Sequence, residues 1–257
     1  MKLKIKGLGA FFAVTALIFS AAASAQTGAR SYAVMSLVGN AMHIHAVRHE
    51  VGTRTPGEMR HVLDIAEPLF DAAALKAAQA SIRQIQPGAR TVLLMTQDAG
   101  LYKAQNAMFE MPDANKADRD YLIGLLKPHD VSHLVLVTKQ RGHAYFKLTN
   151  GSLGTGLLEG LGFYIDDTTR LRNTDSRDSS SGMLGPFSYI KIRLLDARTL
   201  AVVGEIKATK SSIITRPSVE PSAMDIWTSL PSAEKAGYIN ALLAEAVTEA
   251  LAPLLSE

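Results

Sequence analysis

Three of the seven histidines in this 257-residue sequence lie within seven positions, in the stretch MHIHAVRHE at residues 42–50. Imidazole nitrogens bind zinc and transfer protons near neutral pH, so the stretch is a candidate metal or acid–base site. On a β-strand, successive residues of one face lie about 6.7 Å apart, which lets His43 and His45 share one ion. His49 would lie about 13 Å beyond His45, which is too far for zinc–nitrogen bonds of about 2 Å.

The same pattern has a simpler interpretation, in which the histidines form the solvated polar face of a strand. On a helix His45 and His49 would be neighbours, but the order His-x-x-x-His-Glu differs from the His-Glu-x-x-His motif of metalloproteases. We expect a solvated strand face. A metal site at His43 and His45, with a third ligand from elsewhere in the chain, is the alternative.

Other motifs that carry chemistry are incomplete. The glycine-rich segment GSLGTGLLEGLGFYID, residues 151–166, has Glu159 where a dinucleotide-binding motif needs its third glycine. Ser152 lacks the preceding glycine of a nucleophile elbow. Asp166 and Asp167 do not have calcium-loop spacing, and we interpret them as solvent-facing. The sequence therefore indicates no catalytic residue and no cofactor site, and it predicts glycines that let the backbone turn and pack closely.

The first 25 residues have the pattern of a secretory signal peptide, with lysine at positions 2, 4 and 6, an apolar run over residues 8–19, and ASA ending at Ala25. The apolar run has about a dozen residues, whereas a bilayer span needs roughly 20, so we expect cleavage after Ala25. We identify no other segment that is long and apolar enough to span a membrane. The pattern predicts a soluble periplasmic protein that is exported through a cleavable leader.

Removal of this leader would change the charge balance, because it carries three of the 27 basic residues and none of the 24 acidic ones. The remainder has 24 of each, and a neutral chain has no general attraction to phosphate backbones or anionic lipid. Composition therefore argues against nucleic-acid binding. The sequence has no cysteine, which excludes disulfides, thiolate metal sites, a cysteine nucleophile and lipid attachment at cysteine.

Hydrophobic patterns predict a single α/β domain over residues 26–257, with a mixed sheet, helices packed on it, and antiparallel hairpins at its start and end. The first hairpin would join apolar segments 32–38 and 41–47 through Gly39 and Asn40, which take positive φ at low cost. The last hairpin would span 188–209, with its polar residues exposed.

Helices are predicted between these hairpins and at the end of the chain. Strong helix formers at 68–85 and 114–128 each precede an apolar run typical of a buried strand, RTVLLMT and SHLVLVTK respectively. A closing amphipathic helix begins at about Ser232, which can serve as its N-terminal cap.

A polar segment at 165–182, IDDTTRLRNTDSRDSSSG, has no hydrophobic periodicity and predicts a flexible surface loop. Its arginines, Arg170, Arg172 and Arg177, are candidate partner-binding residues because guanidinium groups pair bidentately with carboxylates and phosphates.

A second irregular segment, 211–232, contains several prolines and predicts an extended path over the surface. Ile226 and Trp227 would anchor this path, and Trp227 is a further candidate contact for a partner.

The order of helix, strand, polar excursion, hairpin and closing helix over about residues 60–255 resembles small periplasmic α/β domains of bacterial envelope proteins. Similar layouts occur in the curli-secretion lipoprotein family, in lipoprotein activators of penicillin-binding proteins, and in the amino-terminal domain of the Tol system's propeller protein. The segment RLLDARTLAVV resembles their Leu-x-Asp-x-x-Thr-Gly-x-Val hairpin, with Asp196 and Thr199 in place and Leu200 where glycine is usual. The resemblance implies partner binding without catalysis, and the missing cysteine removes the lipid tether of many members.

These features favour a non-catalytic accessory protein of the cell envelope that binds an envelope protein. Neither a cofactor nor a nucleic-acid partner is predicted. The alternative is a metal-binding protein or metal-dependent hydrolase that uses the His43 and His45 face.

Overall fold

The computed structural model describes residues 30–48, 57–65, 67–172, 179–214 and 223–256. They form one α/β domain, a mixed nine-stranded sheet with helices packed against it, which confirms the predicted fold class. The strands are β1 Ser31–Ser36, β2 Ala41–Arg48, β3 Gly57–Asp64, β4 Arg90–Leu94, β5 His133–Lys139, β6 Arg141–His143, β7 Phe146–Leu148, β8 Gly151–Leu153, β9 Leu157–Arg172, β10 Ser179–Asp196 and β11 Val202–Ser211. The helices are α1 Leu69–Ile85, α2 Ala99–Ala104, α3 Ala107–Glu110, α4 Lys116–Leu126, α5 Ala223–Ser229 and α6 Ser232–Leu255.

Strand β10 organises the sheet, because β5 and β9 lie end to end along one of its edges. Residues 190–196 of β10 pair with β5, residues 179–189 pair with β9, and β11 pairs with the opposite edge. Strands β1 and β2 are likewise end to end, since β1 pairs with β5 and β2 pairs with β9. We call β1, β4, β5 and residues 190–196 the first half of the sheet, and β2, β3, β9 and residues 179–189 the second half. Helices α2–α4 and the start of α1 are assigned to the first half, because they pack on its strands or bond to them.

Three apolar clusters fill the two faces of the sheet. One face of both halves is buried beneath α1 and α6, which also pack on each other. The opposite face of the first half is buried beneath α2, α3 and α4. In the second half, the same face is covered by Ala144 and by Phe146 of β7, which belong to one apolar cluster with Tyr164 and Tyr189. Both faces of the central strands are therefore buried.

The predicted hairpin between residues 32–38 and 41–47 is wrong. Strand β1 pairs with β4 and β5 in parallel, and β2 pairs with β3 and β9. A two-residue hairpin turn of type I′ needs positive φ at both central residues, and only Gly39, at φ 76°, has it. Because β1 is buried on both faces, its continuous apolar run reflects a central parallel strand. The predicted end hairpin, β10 with β11, is confirmed.

The apolar run RTVLLMT forms β4, as predicted, but β4 is an edge strand and not a core strand. It pairs only with β1 among the described residues, and Leu93 and Met95 are 39% and 54% exposed. A continuous apolar run does not distinguish an edge strand from a central one.

The polar segment 165–182 is largely regular. Residues 165–172 belong to β9 and residues 179–182 to β10, and the two strands pair with each other across this region. The interpretation as an irregular loop is therefore wrong for these residues, because strands outside the core need no apolar alternation and threonine favours them. Residues 173–178 lie outside the described part of the chain, and the flexibility of the segment stays a prediction.

Part of the proline-containing segment 211–232 is also regular. Residues 223–229 form α5, so the predicted extended path is wrong there, while residues 215–222 lie outside the described part. Ile226 is buried as the predicted anchor.

Helix α6 is the closing helix that the sequence predicts, although Pro231 occupies the N-cap position assigned to Ser232. By length and composition α6 could also cross a membrane, which corrects the expectation that no segment after the leader meets that criterion. Its apolar side is buried against the sheet and α1, and this packing accounts for its composition. The leader itself, residues 1–25, lies outside the described part.

Candidate functional site

The two histidines of β2 are wholly or partly buried. His45 is only 3% exposed, and its ring stacks on Tyr164 with ring centroids 5.5 Å apart and planes 11° apart. The next residue of that face, Val47, is 4% exposed. The solvated-face prediction is wrong for His45, because the cluster around Phe146 covers the face on which His43 and His45 lie.

His43 is partly buried, and its surroundings disfavour the protonated imidazole. Burial lowers the pKa of His43, and the charge of Lys139 lowers it further, while Glu159 opposes both effects. Its Nε2 atom is buried and makes no hydrogen bond to any described residue. The described residues include no group of three His, Cys, Asp or Glu side chains placed to hold a metal ion, and His49 lies outside them. Metal binding by His43 and His45 stays a prediction.

A glycine on β9 allows this strand to lie very close to the backbone of β2 at His43. Gly162 pairs with His43, and a Cβ atom at Gly162 would lie 1.8 Å from the His43 carbonyl oxygen. Only glycine allows the two strands to approach this closely. The prediction that glycines in residues 151–166 serve close packing is therefore confirmed at this position.

Asp166 and Asp167 are engaged within the fold, so their interpretation as solvent-facing is wrong for Asp166. Asp166 is 8% exposed and accepts four hydrogen bonds, from the backbone and hydroxyl groups of Thr168 and Thr169. Burial opposes its ionisation, but these hydrogen bonds outweigh burial and hold the pKa of Asp166 below its ordinary value. Asp167 Oδ1 accepts the backbone N–H of Met224 (3.1 Å) at the start of α5.

Two of the four candidate partner-binding residues, Arg170 and Trp227, have side chains in the described part of the structure. Arg170 is exposed near the end of β9, and Arg172 is the last residue of that strand. Arg177 lies outside the described part. Trp227 is half-buried on α5, where its ring meets Phe163 edge-on with centroids 5.1 Å apart.

Two polar networks in the first half were not predicted from the sequence. In the first, Asp71 of α1 is 2% exposed, and its Oδ1 accepts from the hydroxyl of Ser36 (2.6 Å) and the backbone N–H groups of Val38 (3.0 Å) and Gly39 (3.2 Å). Its Oδ2 accepts the Tyr102 hydroxyl (2.7 Å), whose pKa is raised by burial and by Asp71. The available signal in the sequence was a single carboxylate within the apolar first turns of α1, LFDAAAL. This network ties α1 and α2 to the end of β1.

The second network surrounds Arg193, which we expected on an exposed strand face and which is only 1% exposed. Its Nε donates to Glu205 (2.7 Å), and its Nη1 donates to Asn106 (3.1 Å) and Thr138 (3.3 Å). The guanidinium carbon lies 4.5 Å from the ring centroid of Phe109, which covers it. The expected exposure is wrong because the segment around α3 lies over this part of β10.

Lys191, also expected to be exposed, is 8% exposed beside this network. Its Nζ lies 3.5 Å from Glu205 and 3.7 Å from Glu110. Both strand cations are thus neutralised within the fold.

The turn of the last hairpin explains why Leu200 can replace glycine. Leu200 has φ 54°, in the left-handed region, and its side chain is 1% exposed within the cluster beneath α2–α4. Asp196 closes the turn by accepting the backbone N–H and the hydroxyl of Thr199, both at 2.9 Å. The left-handed conformation costs a non-glycine residue about 1–2 kcal/mol, and burial of leucine offsets it with about 1.5–3 kcal/mol.

No protein-family profile and no curated protein sequence matches this chain. Solved structures with a similar arrangement include a PelC dodecamer from Paraburkholderia phytofirmans, at 10% identity and TM-score 0.34, covering 90% of this chain and 89% of that one. Protein XCC0632 from Xanthomonas campestris, described as DUF330, gives 10% and 0.37 with coverage of 86% and 80%. Lipoprotein GNA1162 from Neisseria meningitidis gives 10% and 0.31 with coverage of 84% and 96%. Similarity of this degree carries no functional argument.

Proposed function

We propose that this protein is an exported, non-catalytic accessory protein of the cell envelope that binds an envelope protein through the outer end of β9 and β10. The observation that carries the proposal is a contrast between buried polar side chains that stabilise the first half and an exposed arginine in the second half. Asp71 and Arg193 in the first half are buried and fully engaged in bonds that hold the fold. Arg170, at the outer end of the second half, is exposed.

The residues at this end define the chemistry of the partner. Arg170, Arg172 and Arg177 lie on β9 or in the segment that joins it to β10, so three guanidinium groups occur within eight positions of one hairpin. Guanidinium groups pair bidentately with carboxylates, and a protein with an acidic surface patch fits them. Trp227, which packs on Phe163, is a further contact for the partner in this proposal.

Co-purification from cells tests the proposal. A variant with Arg170→Glu, Arg172→Glu and Arg177→Glu reverses the charge of the hairpin end, and we expect it to lose the proteins that co-purify with the wild type after crosslinking. A matched control reverses three charges elsewhere, with Lys76→Glu, Arg83→Glu and Lys103→Glu. Equal recovery of partners by both variants, or a wild-type protein that emerges alone, would refute the proposal.

Export has its own test. The basic start, short apolar run and small-residue site of residues 1–25 motivate the proposal that the periplasmic form begins at Gln26. Mass spectrometry of the protein from the periplasmic fraction measures this directly. An intact Met1–Ala25 segment on that protein would show that the segment is an anchor and not a leader.

A further inference from the structure

Strand β3 is an edge strand that is exposed on both faces. It pairs with β2 on one side, and no described residue pairs with its other side. All five residues from Arg60 to Asp64 are exposed, and two of them, Val62 and Leu63, are large and apolar at 56% and 42% exposed. Open edges with apolar residues pair readily with another strand.

We propose that the open edge of β3 pairs with β3 of a second copy of this chain, antiparallel and across a twofold axis. A twofold axis perpendicular to the sheet makes the two strands antiparallel and keeps the equivalent faces of both copies on the same side, so residues that face each other must lie on the same face of the strand. This condition limits the allowed registers to shifts of two residues. Each register can then be judged by the charges that it places opposite one another.

One register is complementary in charge. When Val62 lies opposite Val62 of the second copy, Arg60 lies opposite Asp64 at both ends of the pair, and His61 lies opposite Leu63. A shift that centres the pair on Arg60 places two guanidinium groups opposite each other, and the intermediate shift loses both charge pairs. Like charges directly opposite each other destabilise strand pairs, whereas opposite charges and β-branched pairs stabilise them.

The second copy is therefore the occupant that fits this edge. The same five residues supply the apolar centre and both members of each charge pair, which is what an isologous interface requires. The pairing is short, so we expect a weak dimer whose population depends on protein concentration.

A charge-swap series tests the register. In sedimentation velocity over a concentration range, the wild type should dimerise, whereas Arg60→Asp alone and Asp64→Arg alone should remain monomeric, because each places like charges opposite each other. Mixing these two single variants should restore dimers, since the two carboxylates of one variant then lie opposite the two guanidinium groups of the other. The double variant Arg60→Asp with Asp64→Arg should dimerise alone. Thermal melts of all variants verify that each one is folded.

Three outcomes would overturn the proposal. A wild type that stays monomeric at every concentration would show that β3 does not pair with itself. Dimers that persist in both single variants would place the interface elsewhere. Failure of the mixture and of the double variant to dimerise, while their melts match the wild type, would exclude this register.

Discussion

The two halves of the sheet are stabilised by different kinds of contact. In the first half, helices cover both faces, and buried polar side chains such as Asp71 and Arg193 fix the helices to the strands. In the second half, β2 and β9 approach each other closely at Gly162, and residues 60–64 of β3 and Arg170 of β9 are exposed. The first half thus depends on buried side-chain bonds, whereas the second depends on a close backbone approach between β2 and β9.

The largest expected effect is the difference in stability between two glycine-to-alanine variants, one in each half. Gly162→Ala places a Cβ atom against the His43 carbonyl oxygen and should lower the free energy of unfolding by about 3 kcal/mol or more, as overpacking against backbone does. A Cβ atom at Gly124 of α4 would meet nothing within 4 Å beyond its own helix, so Gly124→Ala should raise stability by about 0.5–1 kcal/mol. Urea unfolding measures both values. Similar stabilities for the two variants would contradict the close approach of β2 and β9.

A slightly smaller loss is expected from Asp71→Ala in the first half. The substitution leaves the Ser36 and Tyr102 hydroxyls and two backbone N–H groups without their acceptor, which should cost about 2–3 kcal/mol. Asp71→Asn keeps one acceptor oxygen and is the matched control, with a smaller expected loss. If alanine and asparagine are equally tolerated in urea unfolding, the network does not hold the first half together.

Leu200 separates the cost of backbone conformation from the gain of burial. Leu200→Ala and Leu200→Gly both remove the buried side chain, but only glycine relieves the left-handed φ of 54°. We therefore expect Leu200→Gly to be more stable than Leu200→Ala by about 1 kcal/mol, although glycine is ordinarily the less stabilising residue. Denaturant unfolding of the pair decides this. An alanine variant that is the more stable of the two would show that the turn is not strained.

The smallest effect is a pH dependence in the second half. Because the folded state lowers the pKa of His43 below 6.5, the unfolded chain takes up this proton at a higher pH than the folded one. The free energy of unfolding should therefore fall as the pH decreases below about 6.5, down to the folded pKa. His43→Gln should flatten this part of the profile relative to the wild type. An unchanged slope between pH 7 and 5 would mean that burial does not disfavour the charged imidazole.

The sequence predicted most elements, but apart from the hairpin of β10 and β11 it did not predict which strands pair, and it did not predict which polar side chains are buried. Helices α1, α4 and α6 and the hairpin of β10 and β11 follow from periodicity, because each carries an apolar stripe of the right period. The hairpin register also places Arg193 opposite Glu205, so their ion pair could have been found. Burial of Arg193 depends on Phe109 of α3, which is distant in sequence and covers the guanidinium group only in the folded chain.

The same limit explains why the covering of the His43 and His45 face was not predicted. Alternation along β2 gives the face on which His43 and His45 lie, but not what covers that face. The covering residue Phe146 is about a hundred positions away in sequence, and no local pattern connects it to β2. Polar composition likewise led to the wrong prediction of a loop at the outer parts of β9 and β10, because strands outside the core need no apolar alternation.

Site-specific photo-crosslinking in the periplasm tests most directly whether the second half carries the partner contacts. A photoreactive phenylalanine analogue replaces Arg170 at the outer end of β9 in one variant and Tyr121, exposed on α4 of the first half, in the other. We predict an adduct with an envelope protein from position 170 and none from position 121. Adducts from position 121 alone, or from neither position, would contradict the assignment of partner binding to the second half.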